Sequence, residues 1–191
     1  MRPPNPLLFL LLAVAACKET APKPAEDPAD VSRAAFLAAY PVFMHPRCVN
    51  CHPAGDAPLV GEDSRIHPQN VKRGPDGLGL YALKCASCHQ ARNLPGEDMP
   101  PGSRNWHLPP PETPMVFEGK TPKELALQLK DGAATGGKSL EEVVKHVEED
   151  SLVKGGWDPG DGRAKPPISH AEFVALVREW ARRSRGTGVV A

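Results

Sequence analysis

Apolar side chains recur along part of this chain at the three-to-four spacing of a helix face. From Val31 to Met44 (VSRAAFLAAYPVFM) they fall at 35, 36, 39, 40 and 43. Pro41 is expected to kink or end that helix, because its ring removes a donor and collides with the preceding turn. Three later runs each open on a capping box. Thr121-Pro-Lys-Glu124 starts TPKELALQLKD, Ser139-Leu-Glu-Glu142 starts SLEEVVKHVEED, and Ser169-His-Ala-Glu172 starts SHAEFVALVREWARRS. The last of these carries Phe173, Val177 and Trp180 on one stripe, and Gly136-Gly137 separates the first two. Between the early helix and these three the pattern breaks down. Residues 53–84 read mostly as turns, with Arg73-Gly-Pro-Asp-Gly77 the strongest signal, and Leu78–Lys84 is expected to form a short helical lead. Met99–Met115 has six prolines in seventeen residues, so it is read as a stiff loop. No run alternates convincingly as a strand, and the fold class is mainly α, with small helices and long Pro/Gly-rich loops.

A different apolar run lies near the start. Leu7–Ala16 (LLFLLLAVAA) follows Arg2 and is too short to span a bilayer, which takes about 20 residues. It reads as the core of an export signal. Val14-Ala15-Ala16-Cys17 resembles a bacterial lipobox, with Cys17 the lipid-bearing residue. Residues 1–16 are therefore expected to be a lipoprotein signal peptide, and 17–30 the lipidated Cys and a flexible Pro, Ala and charge-rich tether. The main domain is expected over 31–185, with a frayed tail at 186–191. Lys18 after the cysteine points to a periplasmic, outer-membrane anchor by likeness to Gram-negative lipoproteins.

Charge adds an exclusion. Lys+Arg and Asp+Glu are 23 each, so the basic excess of a general nucleic-acid binder is missing. Aromatics are only 5%, while Pro 23 and Gly 17 punctuate 191 residues, so a large apolar core must draw on something besides aromatic side chains.

The cysteines supply the candidate chemistry. Cys48-Val-Asn-Cys51-His52 and Cys85-Ala-Ser-Cys88-His89 are two copies of C-x-x-C-H, the attachment motif of c-type haem. Two thiols three positions apart match the two vinyl groups of one porphyrin, and the following His lies under the iron. A structural zinc could use two C-x-x-C pairs but leaves the His after each pair unexplained. A thioredoxin-like pair needs a βαβ setting that this chain lacks. Cys48, Cys51, Cys85 and Cys88 on two haem c groups and Cys17 on lipid account for all five cysteines. The haems then supply buried volume and staple the fold, a cytochrome c-like arrangement whose apoprotein is expected to be largely unfolded.

The distal iron ligand decides what each haem does: Met or His makes an electron-transfer centre, and an open position allows ligand binding or catalysis. Met115, in the Pro-rich loop before a capped helix, is the first choice. His67 is the next, and His107, after Trp106, is an alternative distal ligand or a propionate partner. Pairing in chain order would give His52 with His67 and His89 with Met115. Arg47, Lys72, Arg73 and Arg104 are candidate partners for the haem propionates.

The strings HPRCVNCHPAGDAPL, HPQNVKRGPDG, CASCHQARNLPG, NWHLPP and GKSLEEVVKHVEEDSLV resemble a group of small bacterial di-haem cytochromes labelled "isoquinoline 1-oxidoreductase subunit", over residues 41–182. That resemblance implies a periplasmic cytochrome taking electrons from a molybdenum hydroxylase of the xanthine-oxidase type, and marks His67, Trp106-His107 and Met115. The chain has no further cysteines for an iron–sulfur cluster and no nucleotide-binding Gly motif, so the resemblance implies an acceptor subunit, not the hydroxylase itself. The expected function is thus electron carriage in the cell envelope from a dehydrogenase or such a hydroxylase. The alternative is a haem enzyme of peroxidase type, or a redox or gas sensor, with one open iron.

Overall fold

The computed structural model describes residues 27–184 and the lone Met1. The signal sequence after Met1, Cys17, most of the tether and the tail at 186–191 lie outside the described residues. Helix α1, Pro28–Phe43, begins three residues before the expected start of the main domain, because Asp27 accepts the Ala29 N–H at 2.9 Å and Pro28 sits where a helix needs no donor. It also runs through Pro41. Pro41 and Leu37 are both exposed, so the carbonyl left without an N–H partner faces water. The Met44 N–H still closes on the Tyr40 carbonyl at 3.1 Å.

A four-residue helix, α2 (Pro46–Val49), carries Cys48. After a long stretch of loops come α3 (Pro122–Lys130), α4 (Leu140–Glu149), α5 (Ser151–Gly155) and α6 (His170–Ser184). Thr121 and Ser139 each form the reciprocal capping box that their sequences announce. Ser169 accepts the Glu172 N–H at 3.2 Å. Helix α5 was not visible in the apolar spacing. Asp150 creates it by ending α4 and then accepting the Leu152 and Val153 N–H groups.

The helices share one core. Helix α1 lies along α6, where Ala35 and Ala39 leave room for close approach. Ser32 bonds the Trp180 carbonyl at 3.2 Å and the Ser184 hydroxyl at 3.1 Å. Helix α4 packs on α6 through Val143 and Val147, and α3 adds Leu125, Ala126 and Leu129. The few aromatics are gathered here: Phe36 meets Trp180 at 4.9 Å between ring centres, and Phe43 meets Phe173 at 5.0 Å and Phe117 at 5.5 Å. The helical part therefore has a protein core of its own, beyond what the aromatic content suggested.

Two small antiparallel hairpins punctuate the loops. Strands β1 (Leu59–Val60) and β2 (Arg65–Ile66) pair Leu59 with Ile66, and β3 (Gly79–Leu80) and β4 (Leu83–Lys84) pair Gly79 with Lys84. The expected helical lead at 78–84 is thus a hairpin. Gly77 and Gly79 take φ of +78° and +89°, outside helical space. A Cβ on Gly77 would also stand 2.1 Å from the Leu108 carbonyl oxygen, so glycine lets the proline-rich loop press against it.

Phe36 is fully buried against Phe43 and Trp180. Phe36→Ala is expected to cost about 3–5 kcal/mol of stability, read as a lowered midpoint in urea unfolding of the full chain. A loss below about 1 kcal/mol would contradict this packing.

Candidate functional site

The two C-x-x-C-H segments are built differently. The first begins within α2, just past the end of α1, with Val49 buried in the core. The second follows β4 as a 3₁₀ turn, Cys85–Ser87, among loops.

Each motif ends in a histidine held in the same way. The Nδ1 atom of His52 lies 2.7 Å from the Met115 carbonyl oxygen, and that of His89 lies 2.7 Å from the Pro101 carbonyl oxygen. A carbonyl can only accept, so Nδ1 carries the proton and Nε2 keeps its lone pair. One face of each ring is covered by a nearly parallel aromatic. Phe117 lies on His52 at 3.9 Å and 11°, and Trp106 lies on His89 at 4.0 Å and 8°. Burial pushes His52 down to about 4 and also lowers His89, so both imidazoles are neutral at pH 7. A metal-binding histidine is usually set by such a partner on its other nitrogen.

The residues that lock both rings come from a single stretch, 101–117. At the His52 end the chain is laced closely. The Phe117 and Glu118 N–H groups donate to the His52 carbonyl at 2.9 and 3.2 Å, and the Glu118 carboxylate accepts the Ala54 N–H at 2.7 Å. Met115 takes a φ of +44°, a left-handed turn that costs an ordinary residue roughly 1 kcal/mol. At the His89 end, Gly102 donates to Asn93 Oδ1 at 2.8 Å, and its missing Cβ leaves space for the Arg92 carbonyl, which would otherwise lie 2.1 Å away. Asn93 in turn donates to the Asp158 carbonyl at 2.8 Å, and Arg163 to the Met99 carbonyl at 2.6 Å.

The Cys48, Cys51 and Cys85 thiols are neutral rather than activated. Burial pushes Cys48 up to about 12 and Cys51 up to about 11, and Cys85 also rises. Redox C-x-x-C pairs have the opposite shift. Cys48, Cys51, Cys85 and Cys88 are all unpaired with one another as disulfides. Among the described residues, no three His, Cys, Asp or Glu side chains converge to hold a bare metal ion.

A cavity of about 410 Å³ opens beside the second motif, lined by His89, Trp106, His107, Leu78, Ala86 and Arg104. That is within the size range of cofactor sites. The residues present fit a c-type haem at each motif: two thiols, an imidazole with its Nε2 lone pair free, and cationic side chains nearby. Arg47, next to Cys48, has its Nε buried without a partner while its Nη2 bonds Glu62 at 2.6 Å. Arg73 is 2% exposed.

Met115 is brought to His52, where its backbone carbonyl is used. His67 bonds the Pro68 carbonyl at 2.8 Å through Nδ1 and lies within electrostatic reach of His89. His107 is tied through Nδ1 to the Asn105 carbonyl, lines the cavity of His89, and is also felt by His52. Phe117 and Pro101 escaped the sequence reading. Only the position of Phe117, two residues past Met115 and just before a capped helix, hinted at its place. Among the described residues no helix is long and apolar enough to cross a membrane. Comparison of the chain with protein-family models, curated proteins and solved structures found no match.

Phe117 joins the core while Trp106 stays among loops. Phe117→Leu is expected to cost about 1–2 kcal/mol of stability, read as a lowered urea midpoint. Trp106→Leu should leave that midpoint nearly unchanged and instead raise hydrogen exchange over residues 101–108. Equal global losses for both variants would show that the second motif is as deeply integrated as the first.

Proposed function

We propose that this protein is a di-haem c-type cytochrome that carries electrons in the bacterial cell envelope. The observation that carries the reading is the repeated histidine geometry: each C-x-x-C-H imidazole gives its Nδ1 proton to a loop carbonyl and keeps Nε2 for iron. Bound haem would supply a one-electron iron couple. The protein's part is to anchor and orient. Cys48 and Cys51, then Cys85 and Cys88, hold the porphyrins as thioethers, each S–H adding across a vinyl double bond. Met115 and Pro101 carbonyls fix the tautomer and rotation of His52 and His89, and the Phe117 and Trp106 rings exclude water from one face of each.

On the distal side the candidates are Met115, His67 and His107, of which His107 lines the cavity beside His89. Met115 remains the sulfur candidate. Cys17 anchors the chain to the outer membrane, and the donor is a dehydrogenase or molybdenum hydroxylase, as the sequence resemblance implies. One observation favours a second reading. The cavity beside His89 is large and His107 lines it, an arrangement that an open-iron haem enzyme or sensor would also use.

The test is maturation in a bacterium competent for c-type haem attachment. The expected product carries the added mass of two haems, Cys85→Ala/Cys88→Ala carries one, and the reduced protein is low-spin and indifferent to carbon monoxide. Absence of added mass would end the proposal, and carbon monoxide binding would favour the enzyme or sensor. Substituting His67, His107 and Met115 one at a time assigns the distal ligands, with loss of a Met–iron charge-transfer band expected only for Met115→Ala.

A further inference from the structure

Helix α1 differs from the other long surface helices. Helix α4 turns Glu141, Lys145 and Glu149 outward, and α6 turns out Glu172, Arg178 and Arg182. On α1 the last charged residue is Arg33, which pairs with Asp30. From Ala34 to Met44 (AAFLAAYPVFM) the one side-chain hydroxyl is that of Tyr40, and it is spent on the Lys120 carbonyl. Ala35, Phe36, Ala39, Val42 and Phe43 face the core. Ala34, Leu37, Ala38 and Pro41 fall at i, i+3, i+4 and i+7 on the other face, and all four are exposed, Leu37 at 47%. A helix that is apolar all round is normally covered all round. This one has no cover on its outer face among the described residues.

The chain just before α1 says what covers it. Ten residues separate Cys17 from Pro28. Even fully extended they span at most about 36 Å. With lipid on Cys17, the start of α1 is held that close to the acyl chains, at an effective concentration of about millimolar, so a weak contact is enough. The face is too small to hold a protein partner. It offers four side chains, two of them alanine, against roughly 20–30 residues a side in a stable interface. It also lacks the Trp, Tyr and Arg that anchor such interfaces. A lipid surface needs no matching shape, only apolar area without repelling charge, and past Asp30 the helix has no carboxylate. Pro41 leaves the Leu37 carbonyl without an N–H partner, which keeps the contact shallow, at the headgroup level where water still reaches that oxygen.

We propose that the outer face of α1, formed by Ala34, Leu37, Ala38 and Pro41, lies on the lipid surface to which Cys17 anchors the chain. This rests on the anchored reading of the protein. The domain then sits on the bilayer in one posture instead of swinging on its tether, and α6, packed on the core face of α1, lies on the side away from the lipid.

The experiment uses the full mature chain, with the acyl mass on Cys17 checked first, on vesicles of phosphatidylethanolamine and phosphatidylglycerol. Hydroxyl-radical oxidation is read residue by residue and compared with the same mature chain carrying Cys17→Ser, exported without lipid. Leu37 and Pro41 are expected to lose most of their oxidation on the vesicles. Tyr81, 97% exposed on the β3–β4 hairpin rather than on α1, gauges the radical dose. Leu37→Glu in the lipidated chain should restore oxidation at Pro41 and leave the urea midpoint unchanged, since the site is exposed and Glu is a good helix former. Equal oxidation of Leu37 in the two forms, with the acyl mass present, would overturn the contact and leave the anchor intact. Protection already present in the unlipidated chain and rising with its concentration would give the face to a second copy and overturn it equally. Absence of the acyl mass would remove the anchor and this contact together.

Discussion

The short hydrogen bond from a histidine Nδ1 to a loop carbonyl is the constraint around which the loop half of this molecule is arranged. It occurs twice, at His52 with Met115 and at His89 with Pro101, both at 2.7 Å. Each fixes a tautomer, and each is backed by an aromatic plate on the ring face. A neutral imidazole in a buried setting needs such an acceptor, since its N–H would otherwise be left unsatisfied. Because 101–117 supplies both acceptors and both plates, the proline content of that stretch has a purpose. It stiffens a segment that has no ladder of hydrogen bonds to hold it straight.

The two sites share a device and differ in foundation. His52 is the end of a run of aromatic contacts that passes through Phe117 and Phe43 to Phe36 and Trp180, so it moves with the helical core. His89 rests on Trp106, and beyond that on a loop tied down by Asn93 and Arg163. Opening free energies are not uniform across such a structure, and regions with few apolar contacts open first. The same histidine arrangement is thus held in a stiff and in a softer setting.

What could be read from the sequence divides along physical lines. Local signals were legible. The boxes at Thr121 and Ser139 are satisfied within four residues, so their helices begin where the letters say. The turn at Arg73–Gly77 and the irregular path of 99–115 follow from Gly and Pro in the same way. Of the two outcomes expected at Pro41, a kink or an end, the helix does not end there, because that residue faces solvent, which the sequence alone did not settle. The hairpin at 79–84 failed as a helical lead because two-residue strands carry too little alternation to register, and Gly79 decided the backbone. For the site, the residue types after each C-x-x-C were plain. Their partners were not, since a backbone carbonyl has no side-chain letter to announce it. Met115 stood out for its sulfur, and the contact it makes with His52 is through its main chain.

The separation of each histidine from its lock has a bearing on assembly order. His89 and the Pro101 carbonyl are 12 residues apart, whereas His52 and the Met115 carbonyl are 63 apart. As the chain is threaded out from its N-terminus, the upstream motif arrives first yet waits longest for the segment that completes it. The downstream motif can close almost as soon as it emerges. Closure of the two locks therefore runs against the order of the motifs along the chain.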